Sequence, residues 1–151
     1  MFFLAILWNG CSSSLPDAKK IQSNSEDIYV DSLRINTKEI YAWVNRMPGQ
    51  KPRFHVTGNL QIFEDTKYNL NNLIIEGVKV KQGANIIYQF TPTYEAKYLE
   101  SFKSIVFSTV RGLLLLSTLD VNKDISITIK LSDSLNEIEY SINKIKIEEV
   151  H

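Results

Sequence analysis

The chain is poor in cysteine and histidine, two side chains that many catalytic and metal sites use. Its 151 residues include one cysteine, Cys11, and two histidines, His55 and His151. A single cysteine cannot close a disulfide within the chain, and two histidines leave little material for a histidine-rich metal site or a Ser/His/Asp triad. The sequence also lacks a Gly-x-Ser-x-Gly elbow. We therefore expect a protein that is not an enzyme and that binds no cofactor.

The chain also lacks an excess of charge of either sign. Seventeen Lys and Arg residues balance seventeen Asp and Glu residues, so the formal net charge at pH 7 is zero. A surface for nucleic acid needs a basic excess, so we expect no nucleic acid as a partner. The hydrophobic share of 44 % is typical of a globular protein, and the length suits one domain and a tail.

Long apolar runs are scarce, and the most apolar segment is at the start of the chain. Residues 1–8, MFFLAILW, are all apolar. A membrane-spanning helix needs about 20 such residues, whereas the apolar centre of a secretion signal needs only about 7–15. Asn9 and Gly10 end the run, and Cys11 follows with three serines behind it. The length of this run favours the apolar centre of a secretion signal, and therefore an exported chain.

The segment Trp8 to Ser14, WNGCSSS, resembles the lipobox of bacterial lipoproteins. In that family a peptidase cuts before a cysteine that follows a small residue, and a diacylglycerol is attached to the cysteine sulfur. The resemblance implies that residues 1–10 are a lipoprotein signal peptide and that Cys11 is lipidated. It also implies a bacterial cell-envelope location, in most cases the outer membrane, with the membrane bound through the lipid anchor. Trp8 stands where lipoboxes usually carry Leu, Val or Ile.

The alternative is that Cys11 packs as a small hydrophobic residue within the first strand of a domain. Residues 12–26, SSSLPDAKKIQSNSE, are mostly polar, contain Pro16 and show no sustained period. Such a composition is typical of a linker, and it would separate a strand around Cys11 from the rest of the domain. We therefore interpret residues 11–26 as a flexible tether.

From residue 27 to residue 151 the dominant pattern has a period of two. Apolar and polar residues alternate in 53–62, in 125–131 and in 137–142. Because successive side chains of a strand point to opposite faces, each segment has one face for a core and one for solvent. Further strands are predicted at 28–35, 39–45, 73–81, 84–90 and 105–108.

These strands predict an all-β domain over 27–151, an antiparallel β-sandwich of about seven to nine strands. It is Ig-like in architecture only, because the Cys…Trp…Cys signature of antibody domains is missing. The strand pattern resembles that of small Ig-like envelope proteins of unknown role.

Two segments change phase, which predicts β-bulges. Apolar residues occupy odd positions before Glu76-Gly77 and even positions after it, and the parity changes again across Asn143-Lys144. One extra residue in a strand exchanges its two faces. Residues 94–111 are ambiguous, because Tyr98, Phe102 and Ile105 fall near helical spacing. We expect either a short helix or a long crossover loop there.

The best candidate ligand surface lies around the turn at Pro48-Gly49. The segment 46–55, RMPGQKPRFH, contains four basic or titratable side chains and no acid, and Trp43 precedes it. Such a loop can receive a carboxylate, a phosphate or a sugar acid. An ordinary solvated loop between two strands is the alternative. The candidate ligand-binding residues are Trp43, Arg46, Lys51, Arg53 and His55.

Asp120, Asn122 and Asp124 are weaker candidates for a calcium site. The order D-x-N-x-D begins many calcium loops, but those loops also need glycine at the sixth place and glutamate at the twelfth. Here Ile125 and Leu131 occupy these places. We therefore expect an Asx-rich turn and no bound metal.

The sequence favours a lipid-anchored envelope protein whose β-sandwich is a binding or structural module. Its partner class is a protein or glycan of the envelope. The alternatives are a small secreted or periplasmic enzyme and a calcium-dependent carbohydrate-binding domain.

Overall fold

The computed structural model describes residues 27–64 and 67–151, and this part of the chain is built from β-strands. The all-β class predicted from the alternating pattern is confirmed. The strands are β1 (Asp27–Val30), β2 (Leu33–Asn45), β3 (Arg53–Phe63), β4 (Ile74–Gln82), β5 (Asn85–Phe90), β6 (Thr93–Leu99), β7 (Phe102–Ser108), β8 (Leu113–Leu114), β9 (Ile125–Ser132), β10 (Glu137–Ile145) and β11 (Ile147–Val150).

The strands form two sheets, as a sandwich requires. The first sheet has seven strands in the order β1-β2-β3-β7-β6, with β11 added beside β2 and β8 beside β3. The second sheet has four strands in the order β10-β9-β4-β5. Each of the three segments with the clearest alternation, 53–62, 125–131 and 137–142, is part of a strand.

The core lies between the inner faces of the two sheets. Along β3 every second residue is buried, and the residues between them are half-buried on the outer face. β9 contributes the facing layer with Ile125, Ile127, Ile129 and Leu131, which are at most 2 % exposed. Branched and aromatic side chains of this kind pack well on a pleated surface, and their burial is the main stabilising contribution.

Gly58 marks the tightest position on the inner face of β3. A Cβ built at this residue would lie 2.5 Å from Cε1 of Phe107 and 2.8 Å from Cδ1 of Ile40. The two side chains therefore occupy the volume that any other residue at position 58 would need.

Both predicted bulges are confirmed by the strand registers. The pairing of β4 with β9 shifts between Ile75 and Gly77, and the pairing of β10 with β9 shifts between Ile142 and Ile145. Two further irregularities lie at the β2–β3 pair near Thr37 and at the β4–β5 pair after Val80. The first two bulges can be read from the sequence because each bulged strand has buried apolar residues both before and after the bulge. The positions of these residues therefore change between odd and even at the bulge.

The expectation of a helix or a crossover loop in 94–111 was wrong, whereas the strand predicted at 105–108 is confirmed as part of β7. The segment contains most of β6 and the whole of β7, which pair antiparallel from Thr93↔Ser108 to Leu99↔Phe102. The period of two is hidden because β7 carries a buried lysine, Lys103, on its inner face and an exposed apolar residue, Val106, on its outer face.

The described part of the chain has 11 strands, more than the seven to nine predicted. One cause is a turn at Asp31-Ser32, where both residues have positive φ, so that 28–35 forms two paired strands. Another is the short strand β11, which pairs parallel to β2 and is the exception to the antiparallel arrangement. The Ig-like topology stays a prediction.

Candidate ligand-binding surface

Three aromatic side chains stack on the outer face of the seven-stranded sheet. Tyr41 and Trp43 alternate along β2, and the register places His55 of β3 directly opposite Trp43. The ring centroids of Tyr41 and Trp43 are 5.0 Å apart, and those of Trp43 and His55 are 4.8 Å apart with an interplanar angle of 8°. All three side chains are half-buried. We call these three residues the ring patch.

The turn between β7 and β8 holds the imidazole in place. A Cβ built at Gly112, whose φ is +70°, would lie 2.5 Å from Cε1 and 2.6 Å from Nε2 of His55. The backbone of the turn therefore packs against the imidazole, which already stacks on Trp43. Arg53 fixes the same turn, because its Nη1 donates to the Gly112 carbonyl oxygen at 3.1 Å. Within the described residues, neither ring nitrogen of His55 has a hydrogen-bond partner.

The electrostatic surroundings keep the imidazole neutral. Burial lowers the pKa of His55, and the nearby guanidinium of Arg53 lowers it further. Both effects disfavour the charged form of the ring. At pH 7 the ring is therefore an uncharged stacking partner of Trp43.

β11 adds one carboxylate beside the ring patch, Glu148, and a second one, Glu149, on its other side. The Tyr41 hydroxyl donates to Oε2 of Glu148 at 2.7 Å, and burial together with this carboxylate raises the pKa of Tyr41 to about 12. Arg46 forms an ion pair with Glu149. Because neighbouring strand residues point to opposite faces, the two glutamates bind on different sides of β11.

The predicted ligand-binding residues therefore separate into two groups. Trp43, Arg53 and His55 are brought together on one face of the sheet. Arg46 is engaged by Glu149, and Lys51 is exposed in the loop before β3. Sequence reasoning missed Tyr41 as a contact of Glu148, because the pairing of β11 with β2 joins residues more than 100 positions apart.

The loop around Asp120 forms the predicted Asx turn. Asp120 Oδ1 accepts the backbone N–H of Asn122 at 3.0 Å, and Oδ2 pairs with Nζ of Lys123 at 3.3 Å. These contacts lower the pKa of Asp120, the Asn122 N–H most of all. Asp124 is exposed in the same loop. Among residues 27–64 and 67–151, no three or more His, Cys, Asp or Glu side chains are placed to hold a metal ion.

The outer face of the four-stranded sheet carries a different arrangement. Lys130 pairs with Glu76 at 2.8 Å and with Glu137 at 3.0 Å, and Lys79 pairs with Glu139 at 2.9 Å. A shallow depression of about 220 Å³ lies among these side chains. Each ammonium group already has a carboxylate partner, so this face offers balanced charge and no ring.

Two buried polar groups hold the part of the β3–β4 connection that lies next to β4, and neither group was predicted from the sequence. Nζ of Lys103 donates to the carbonyl oxygens of Leu70 at 2.7 Å and Leu73 at 2.8 Å, and burial lowers the pKa of this lysine. Asp133 Oδ2 accepts the backbone N–H of Asn69 at 2.9 Å. The sequence does carry a signal for Lys103: it lies an even number of positions from the buried residues of its strand, so its side chain faces the core.

The predictions for Cys11, for the signal peptide 1–10 and for the tether 11–26 concern residues outside the described part of the chain. Within that part, no helix has the length and hydrophobicity that crossing a membrane requires.

No family model, curated protein or solved structure matches this chain.

Proposed function

We propose that the chain is an exported, lipid-anchored protein of the bacterial envelope whose β-sandwich binds a carboxylate-bearing ligand on the ring patch. The anchor is supported by the lipobox-like WNGCSSS segment. The binding role is supported mainly by one observation, the stacked Tyr41, Trp43 and His55 beside Arg53 on a face that does not contribute to the core.

The Arg53 end of this surface favours a planar or ring-shaped ligand with a carboxylate, whereas Glu148 occupies the Tyr41 end. Half-buried aromatic rings supply apolar contact and stacking, and they remain partly accessible on the outer face. Arg53 uses Nη1 to hold Gly112, and its other guanidinium donors have no acceptor among the described residues. Lys51, exposed in the loop before β3, adds a second cation. A sugar acid has both the ring and the carboxylate that such a surface binds.

The contacts of His55 favour binding over catalysis. A catalytic histidine is normally oriented by a carboxylate or a carbonyl, whereas His55 is positioned by the Trp43 ring and the Gly112 backbone. Calcium-dependent binding has less support, because both carboxylate oxygens of Asp120 are engaged within the loop.

Tryptophan fluorescence tests the binding role directly. The chain has two tryptophans, so Trp8→Phe in the full chain leaves Trp43 as the only one. We expect a uronic-acid oligosaccharide to change the Trp43 emission, and a neutral glucose oligosaccharide of equal length to change it much less. The response should weaken at high salt, because screening reduces the attraction between the ligand and Arg53.

Matched variants locate the site. Arg53→Ala should weaken the uronic-acid response about tenfold, the loss expected for one charge-assisted hydrogen bond. Lys146→Ala, an exposed lysine between β10 and β11, should leave the response unchanged. A response that survives Arg53→Ala, or that is equal for acidic and neutral oligosaccharides, would contradict the proposed ligand class.

A further inference from the structure

β6 is an open edge of the seven-stranded sheet. It is the last strand in the order β1-β2-β3-β7-β6, and six of its seven residues are exposed. An edge strand carries N–H and C=O groups that can pair with another strand. Among the described residues, no strand other than β7 pairs with it.

β6 is also the most regular edge of the described strands. It pairs with β7 over seven consecutive residues without a register shift. By contrast, β5 and β10 are interrupted by shifts after Val80 and Ile142 in their pairings, and β1 has only four residues. Bulges, short length and charged side chains are the usual features that prevent an edge from pairing. β6 has no bulge and is not short, and its two charged residues, Glu95 and Lys97, have opposite signs.

The sequence of β6, TYEAKYL, is self-complementary about its central residue. We propose that two copies of this chain join their seven-stranded sheets by antiparallel pairing of β6 with β6 of the second copy, centred on Ala96. In this register Glu95 of one copy lies opposite Lys97 of the other, and Lys97 lies opposite Glu95. Tyr94 lies opposite Tyr98 in the same way. The whole strand is paired, because Ala96 is the midpoint of 93–99.

Charge and exposure both support this occupant. Residues directly opposite in an antiparallel pair have Cβ atoms about 4.5–5.5 Å apart, so Glu and Lys can form ion pairs across the junction. Tyr98 and Leu99 are 45 % and 46 % exposed, and Val106 beside Glu95 on β7 is 46 % exposed. Pairing of the two edges covers part of this apolar surface.

The expected interface is one strand pair, so the dimer is weak and depends strongly on its few cross-strand contacts. The twofold axis that relates the two copies is perpendicular to the sheet. The inner face of one copy therefore continues into the inner face of the other, and the outer faces do the same. The ring patch lies on β2 and β3, away from β6, and it stays open in both copies. The dimer does not depend on the proposed ligand.

Charge exchange in the full chain tests this register. Sedimentation velocity over a concentration series, with Cys11→Ser as the background to remove the lipid acceptor, should show the parent chain in monomer–dimer equilibrium. E95K places two pairs of lysines at the junction and K97E places two pairs of glutamates, so each single variant should raise the dissociation constant about tenfold or more. K146E is the control and should dimerise like the parent.

Mixing the two variants is the decisive step. In the register centred on Ala96, a mixture of E95K and K97E pairs lysine with glutamate at both places, so it should dimerise although neither variant does so alone. The double variant E95K/K97E should also dimerise. Restored association shows at the same time that both variants are folded. A parent chain that stays monomeric, single variants that associate like the parent, or a mixture that stays monomeric would each overturn the proposal.

Discussion

At the scale of single residues, Gly58 shows how one position in β3 sets the packing of the core. The residue lies on the inner face, and the rings and methyl groups of Phe107 and Ile40 fill the space around it. The alternating pattern predicts that Gly58 faces inward, because it shares its parity with the apolar residues of the strand. The pattern does not show that a side chain is excluded there, because that depends on the pairing of β3 with β7, which places Phe107 opposite Gly58.

We expect Gly58→Ala to lower the free energy of unfolding by about 1–3 kcal/mol, because the new methyl group overpacks the core. Gly77→Ala is the matched control, since it is also a strand glycine and its added Cβ would meet only the carbonyl oxygen of Phe90, at 3.6 Å. That variant should change the free energy by less than about 1 kcal/mol, since alanine is otherwise favoured in a strand. Urea denaturation measures both values, and equal losses in the two variants would contradict this account of the core.

Trp43 and His55 show what could be predicted of the candidate site at the same scale. The basic residues near Pro48-Gly49 are close in sequence, so their selection needed no tertiary information. The stack itself depends on the β2–β3 register, in which Trp43 and His55 are paired. The contacts of Gly112 and Glu148 come from distant strands, and no local signal in the sequence indicates them.

At the scale of structural elements, the connection between β3 and β4 is fixed by contacts with several other elements. Asp31 in the β1–β2 turn accepts the Tyr68 hydroxyl at 2.8 Å, Lys103 in β7 binds Leu70 and Leu73, and Asp133 in the β9–β10 turn binds Asn69. Tyr68 and Leu70 are buried at 4 % exposure, so the connection contributes to the core. These contacts tie the connection to both sheets.

Asp133 makes the stability of this region depend on acid. It accepts backbone N–H groups from Asn69, Asn136 and Leu135, and these bonds lower its pKa from 3.8 to about 2. Because the carboxylate is favoured in the folded state, its contribution is present above pH 3.8 and is lost as the pH falls towards 2.

We expect Asp133→Asn to remove this part of the pH dependence, so that the difference in stability between the parent chain and the variant shrinks from pH 4 to pH 2. Urea midpoints measured at several pH values provide the test. Asp124→Asn, an exposed position before β9, is the control and should follow the parent chain throughout. A difference between parent and Asp133→Asn that stays constant over the acid range would contradict the assignment.

The elements also show which parts of a fold the sequence can predict. The bulges at Glu76 and Asn143-Lys144 were predicted because a change of apolar parity is a local signal. The β6–β7 hairpin was missed, although 105–108 was predicted as a strand, because Lys103 occupies an inner position and Val106 an outer one, which weakens the alternation. Lys103 can be buried only because carbonyl oxygens of Leu70 and Leu73 surround its ammonium group, and those oxygens come from a distant connection.

At the scale of the whole molecule, the described residues form a two-sheet domain, and the proposed lipid anchor precedes it in the sequence. The outer faces of the two sheets differ, because one carries stacked rings between Arg53 and Glu148 and the other carries Lys–Glu ion pairs and, among the described residues, no ring stack. A tether of about 16 residues, 11–26, would hold the domain close to the membrane. A diacylglycerol attached at Cys11 would give stable membrane binding, because it carries two acyl chains and a single chain binds only weakly.

The most direct test of this central claim is the intact mass of the protein after expression in a bacterial host, combined with detergent phase partition. The parent chain should begin at Cys11, carry the added mass of its lipid chains and enter the detergent phase. Cys11→Ala should carry no lipid mass. A parent chain that still begins at Met1 and carries no lipid would contradict the account.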